Sequence, residues 1–328
     1  MRYPAEAEAN PRYGAAVMSL TVVGSIAFDA VETPAGRRDR MLGGSAVHFS
    51  LASSFLAETR VVGPVGDDFG EDEYAALHSR GVVTDDIEHV PGGKTFFWAG
   101  RYERDLNIRH TLQTDLNVFE HFQPKLSEAS AAADVLFLAN IQPDLQRDVR
   151  EQCASARFTA MDSMNLWIDI AHESLMRTIS MVDGVLVNDS ELKQLTDEPN
   201  LVRAARAVLD MGPRVVVAKQ GEYGAAMFTH DGFFGLPAYP LADVVDPTGA
   251  GDCFAGGFMG YIAAHPDEEL SSELLRRAMA YGTALASFNV EAFGTERVLR
   301  LTPEEISARV EELQAVTRFD AAPIALRS

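Results

Sequence analysis

Five short apolar runs, LTVVGSI (20–26), TRVVGPV (59–65), DVLFLAN (134–140), GVLVN (184–188) and RVVVA (214–218), recur along the chain with amphipathic segments between them. Their apolar residues do not alternate with polar ones, which is the mark of strands covered on both faces. Such strands separated by helices predict an α/β protein with a largely parallel sheet. The helices are expected at about 46–57, 70–80, 143–155, 200–211, 252–264, 271–288 and 303–316, the last opening TPEE, a cap followed by proline and two acids.

Two segments break this rhythm. Residues 28–42 and 92–118 carry aromatic, β-branched and charged residues in near-alternation, as in a small antiparallel sheet with one wet face. They are expected to form one discontinuous lid within a single domain spanning 18–320. Residues 1–17 lack the basic start and apolar middle of a signal peptide and are expected to be a loose tail, or to precede a true start at Met18; 321–328 are expected to be a short C-terminal tail.

A formal charge of −20 argues against nucleic acid or an anionic membrane as partner, since neither polyanion would be attracted. No apolar run reaches the roughly 18 residues of a membrane span. Cys153 and Cys253 have no paired spacing, so neither a disulfide framework nor a thiolate metal site is indicated and a reducing cytoplasm is expected. Small-molecule chemistry is favoured.

The stretch DPTGAGD (246–252) carries the sharpest chemical signal. Proline and glycines make a turn, and Gly249-Ala250-Gly251 leaves backbone N–H groups uncovered at the mouth of a helix, where an anion finds donors and the positive end of the dipole. Asp252 then has two readings. It could cap the helix, or act as a general base that aligns a hydroxyl attacking a phosphate held on those amides.

DPTGAGDCFAGGF (246–258) resembles the C-terminal signature of the ribokinase-like sugar kinases, the PfkB carbohydrate kinase family, and the resemblance runs in the family's order from about Ser19 to Leu313. It implies a three-layer ribokinase-like fold: a mostly parallel central sheet flanked by helices, with a small β-sheet lid. It also implies ATP and Mg²⁺, with K⁺ beside the anion loop in some relatives, a sugar or nucleoside under the lid, and pairing of two copies through their lids.

The resemblance assigns residues one by one. VVGSIAFD (22–29) is similar to the first strand whose closing Asp29 holds substrate hydroxyls, and LGGSAVHFSLA (42–52) to the N-terminal signature, placing Gly43, Gly44, Ser45 and His48 on the substrate. NDSE (188–191) matches the N-x-x-E motif, which implies that Asn188 and Glu191 organise Mg²⁺; read alone, it is equally a helix cap. AKQGEYGA (218–225) resembles the nucleotide loop, giving Gly221 and Gly224 to the nucleotide and Lys219 to phosphate, although such a stretch between strands is also a hairpin. SFNVEAFG (287–294) implies that Asn289 contacts adenine.

The chain departs from the pattern at His48, where many relatives carry Asn; a histidine there either packs at a core edge or offers the substrate a donor and an acceptor. Phe96, Phe97, Trp98 and Tyr102 either pack the lid or stack on a base. Arg101, Arg104 and Arg109 read as a solvated lid face, or as a clamp for a sugar phosphate. Cys253 reads as a small buried hydrophobe with no catalytic part.

Rival readings fare worse. The dinucleotide fingerprint is missing after the first run, and GGKT (92–95) lacks the earlier glycine of a P-loop, Glu88 standing there. A non-catalytic sensor of the same family would have no use for a base beside an anion loop.

Overall fold

The computed structural model describes residues 18–319; the two tails expected at 1–17 and 321–328 lie outside the described residues. Nine strands form the main sheet: β1 (Leu20–Val23), β4 (Thr59–Val65), β5 (Val83–His89), β8 (Val135–Leu138), β9 (Phe158–Met161), β10 (Gly184–Asn188), β11 (Val215–Lys219), β12 (Ala225–Thr229) and β13 (Gly232–Leu236). Their order is β13-β12-β11-β10-β9-β8-β1-β4-β5. Pairing is parallel from β11 through to β5, and β12 and β13 add an antiparallel margin.

The unalternating strands are covered on both faces, as their sequence requires. Val22, Phe137, Leu186 and Val217 face one core. Their neighbours Val23, Leu136, Val187 and Val216 face the other. Helices Ser45–Ser53, Ala250–Ala263 and Ser272–Asn289 supply the first core, with Phe49 stacked on Phe137 at 4.6 Å between ring centroids. Helices Pro143–Gln152, His172–Ile179, Asp189–Thr196 and Leu201–Leu209 supply the second. Truncating Phe137 to alanine would cost about 3–5 kcal/mol, a large part of a typical domain's stability.

A second sheet, ordered β3-β2-β6-β7, consists of β2 (Ala27–Thr33), β3 (Gly36–Gly43), β6 (Phe96–Tyr102) and β7 (Arg109–Asp115). It draws on the two segments expected to form the lid. The expected antiparallel pairing needs one correction: β2 and β6 run parallel, from Ala27 opposite Phe96 to Glu32 opposite Arg101. The two segments are separate excursions from the main sheet, not arms of one hairpin, so nothing obliges their central strands to oppose each other. Among the described residues no helix is long and apolar enough to cross a membrane.

Candidate active site

The loop 246–251 is held from beneath. Asp246 is fully buried, and its two carboxylate oxygens accept from the N–H of Thr248 at 2.9 Å and of Gly294 at 3.0 Å. Gly249 has φ +77°, and no side chain caps the helix that starts at Ala250. The N–H of Ala250 is taken by the carbonyl of Pro247 at 3.2 Å, which corrects the expectation of three open amides. Among the described residues nothing takes the N–H of Gly249 or Gly251. The loop is half-buried, and Ala250 and Gly251 line a groove of about 830 Å³.

Three adjacent parallel strands deliver the polar groups to this loop, because Asp162 follows β9 directly, Asn188 closes β10 and Lys219 closes β11. The carboxyl ends of parallel strands are where ligands of open α/β sheets gather. Lys219 Nζ lies 2.9 Å from Asp162 Oδ2 and faces Gly251 so closely that a methyl there would sit 3.0 Å from the ammonium. Burial pushes Asp252 up to about 7, the carboxylates of Asp162 and Glu191 push the same way, and Lys219 opposes them. Burial and Asp162 likewise raise Glu191 to about 7.

Asn188 and Glu191 form a reciprocal capping box. Asn188 Oδ1 accepts from the Glu191 N–H at 2.7 Å, and Glu191 Oε2 accepts from the Asn188 N–H at 2.9 Å. The cap reading therefore holds, and it fixes the direction of the Glu191 carboxylate. Among the described residues no three acids, histidines or cysteines stand together as a metal cage. Asn188 Oδ1 also accepts from Ser190 Oγ at 2.7 Å, so the oxygen of this pair that the described residues leave uncommitted is the second one of the Glu191 carboxylate, a hard donor that suits a cation keeping several waters.

The KQGEYG stretch is both a hairpin and a groove wall. The Gln220 N–H donates to the Gly224 carbonyl at 2.8 Å, and Gly221, Gly224 and Lys219 line the groove. The lid reaches the same place: Arg104, Asp105, Leu106 and Asn107 line it too, and Tyr102 Oη meets Thr248 Oγ1 at 3.1 Å. Arg101, Arg104 and Arg109 are exposed, the default reading of that cluster. Phe96, Phe97 and Trp98 are half-buried, and Phe96 packs on Phe119 at 5.8 Å.

Three expectations on the substrate and adenine side are corrected. Asn289 is fully buried, pairing with His48 and donating to the Thr248 carbonyl; Thr283, Ala286, Ser287 and Val290 of its helix and its end form the groove wall in its place. His48 is 2% exposed and its ring lies under Gly249, which makes it a support of the loop and not an open substrate contact. Ser45 spends its hydroxyl on Ser25, joining the end of the first strand to the helix behind it. Gly43 and Gly44 are required by the fold itself: a methyl on Gly43 would fall 2.0 Å from Asp29 Oδ2, and one on Gly44 2.4 Å from the Ser25 carbonyl. Asp29 accepts from the Gly44 N–H, and burial, Asp246 and Asp252 hold it up at about 7. Cys253 is a buried hydrophobe, as expected.

Residues 9–300 match the model of the pfkB family carbohydrate kinases. The chain belongs to that family. It is a phosphotransferase acting on a hydroxyl of a sugar or nucleoside. It is 30% identical over 270 residues to a cytidine kinase of Thermococcus kodakarensis, covering 80% of this chain and 95% of that one. To a nucleoside kinase of Methanothermobacter thermautotrophicus it is 25% identical, over 88% of this chain and 94% of that one. The fold is similar to that of the Methanocaldococcus jannaschii nucleoside kinase, with a TM-score of 0.74 and 20% identity over 91% of this chain and 100% of that one.

Asp162 and Asp246 are the site residues that sequence reasoning passed over. The sequence marks Asp246 only as the first residue of the DPTG turn. Asp162 follows a four-residue strand, FTAM, too short to stand out as a strand; a lone acid directly behind an apolar run was its one signal.

Proposed function

We propose that this kinase transfers the γ-phosphoryl group of ATP, taken as its Mg²⁺ complex, to a primary hydroxyl of a nucleoside, with a plain sugar as the alternative acceptor. The observation that carries the transfer is that the Gly249 and Gly251 amides and the half-buried carboxylate of Asp252 stand together at the mouth of one helix. The nucleoside is favoured because the relatives named above are a cytidine kinase and a nucleoside kinase.

ATP lies in the groove between the Gly221–Gly224 turn and the end of helix Ser272–Asn289, its terminal phosphate toward the loop. Asp252 accepts the acceptor's proton as the new phosphorus–oxygen bond forms, while the two amides stabilise charge on the transferred group. Asp29, held up by burial and in part by the carboxylates of Asp246 and Asp252, orients the acceptor from the lid side. Asn188 and Glu191 would hold Mg²⁺ through waters, and the ion would neutralise phosphate charge when bound. Closure of the lid excludes the water that competes with the acceptor. Both cysteines are buried thiols, in keeping with a cytoplasmic enzyme.

ADP release measured against a panel of nucleosides, pentoses, hexoses and sugar phosphates tests this reading. Turnover with nucleosides above that with free sugars is expected. Turnover with sugars alone overturns the nucleoside assignment, and none with any acceptor overturns the kinase chemistry.

A further inference from the structure

The ammonium nearest the anion loop is held by a residue to which no role has been given. Asp162 directs both carboxylate oxygens: Oδ1 accepts from the Ser163 N–H at 2.7 Å and Oδ2 meets Lys219 Nζ at 2.9 Å. Its own carbonyl accepts from Gln146 Nε2 at 2.9 Å, so backbone and side chain are both fixed. Asp162 and Lys219 are 9% and 16% exposed at their side chains, which removes most of the solvent screening that weakens surface pairs.

Lys219 has other partners within electrostatic reach. Glu191 and Asp252 both favour its charged form. A lysine stem is long and flexible, and an unanchored ammonium among three carboxylates would close onto whichever lies nearest. If that were Asp252, the base would be masked. Anchored on Asp162, the ammonium stands against Gly251 and on the groove wall.

We propose that Asp162 is a positioning residue for phosphoryl transfer: it pins the Lys219 ammonium beside Gly251, where it meets the terminal phosphate of the nucleotide, and keeps it from closing onto Asp252. The proposal rests on the kinase reading above. It also accounts for Gly251, since a side chain there would displace the ammonium from its anchored place. A cation fixed before the phosphate arrives costs no reorganisation during transfer.

D162N keeps the shape of the side chain and an oxygen for the Ser163 N–H, while turning an amide N–H₂ toward the ammonium. The test combines ADP-release kinetics with calorimetric titration of AMP and of a non-hydrolysable ATP analogue, on wild type, D162N, K219M, K219R and D162N/K219M. In D162N, kcat is expected to fall about 10²-fold. Affinity for the ATP analogue should fall while that for AMP and the KM of the acceptor stay unchanged. K219R should retain more activity than K219M, and the double variant should lie within about threefold of K219M, since the two residues act as one unit. Wild-type kcat in D162N, an equal loss of AMP and ATP-analogue affinity, or additive losses in the double variant each overturn the proposal while leaving the kinase reading intact. Wild type inactive with every acceptor overturns both.

Discussion

The imidazole of His48 lies directly beneath Gly249, so close that a methyl on that glycine would sit 2.4 Å from Cγ and Nδ1 of the ring. The same ring meets Asn289 Oδ1 through Nδ1 at 3.2 Å, and Asn289 Nδ2 donates to the Thr248 carbonyl at 2.7 Å. Because the amide nitrogen of Asn289 is committed as donor, its oxygen accepts, and Nδ1 of His48 carries the proton. Burial holds the histidine below its ordinary pKa, in the neutral form. At Gly249 the loop thus rests on a neutral ring and an amide, while the Asp246 carboxylate, committed to the N–H groups of Thr248 and Gly294, ties down its start.

Gly249→Ala is expected to be damaging twice over, through overlap with that ring and through the positive φ of the backbone. The two effects together predict a loss of about 1–3 kcal/mol. Urea denaturation measures it, and an unchanged midpoint would contradict the packing described.

The site is expected to destabilise the empty protein at alkaline pH. Asp252 stands at about 7 in the folded chain against an ordinary 3.8, so the folded state binds the extra proton between those values. Its contribution to stability is fully present below the unfolded pKa and is lost as pH rises through 7; Asp29 and Glu191, also near 7, act in the same direction. Asp252→Asn should therefore melt above wild type at pH 8, and the difference should vanish by about pH 4. A variant that melts below wild type at pH 8 would count against the raised value.

Glu191→Gln separates the two uses of this residue. Glutamine can still accept from the Asn188 N–H and keep the capping box, whereas the charge is gone. The melting temperature should match wild type at about pH 4 and stand above it at pH 8, as for Asp252→Asn, and the Mg²⁺ concentration giving half-maximal activity should rise about 10- to 100-fold. An unchanged Mg²⁺ titration sinks the metal role.

What could be read from the chain follows physical lines. Strands such as Val215–Lys219 announce themselves because a β-branched run buried on both faces has no other stable home. Val83–His89 does not, since VTDDIEH at the sheet's edge carries acids into solvent. The turn at Gly221–Gly224 and the loop 246–251 are legible as turns because proline fixes one torsion and glycine permits the positive φ that Gly221, Gly224 and Gly249 adopt. The rotation of a helix about its axis was not: Asn289 and Val290 are neighbours in sequence, yet one supports the loop and the other lines the groove. Nor was Lys219's partner, because Asp162 is 57 residues away and only the adjacency of β9, β10 and β11 brings it near.

The kinetics of Asp252→Asn bear most directly on the chemistry. With ATP and the acceptor that wild type uses best, kcat should fall by about 10²- to 10⁴-fold, the usual weight of a general base, while calorimetry shows the ATP analogue still bound. Turnover close to wild type would show that the carboxylate beside the anion loop takes no part in moving the phosphoryl group.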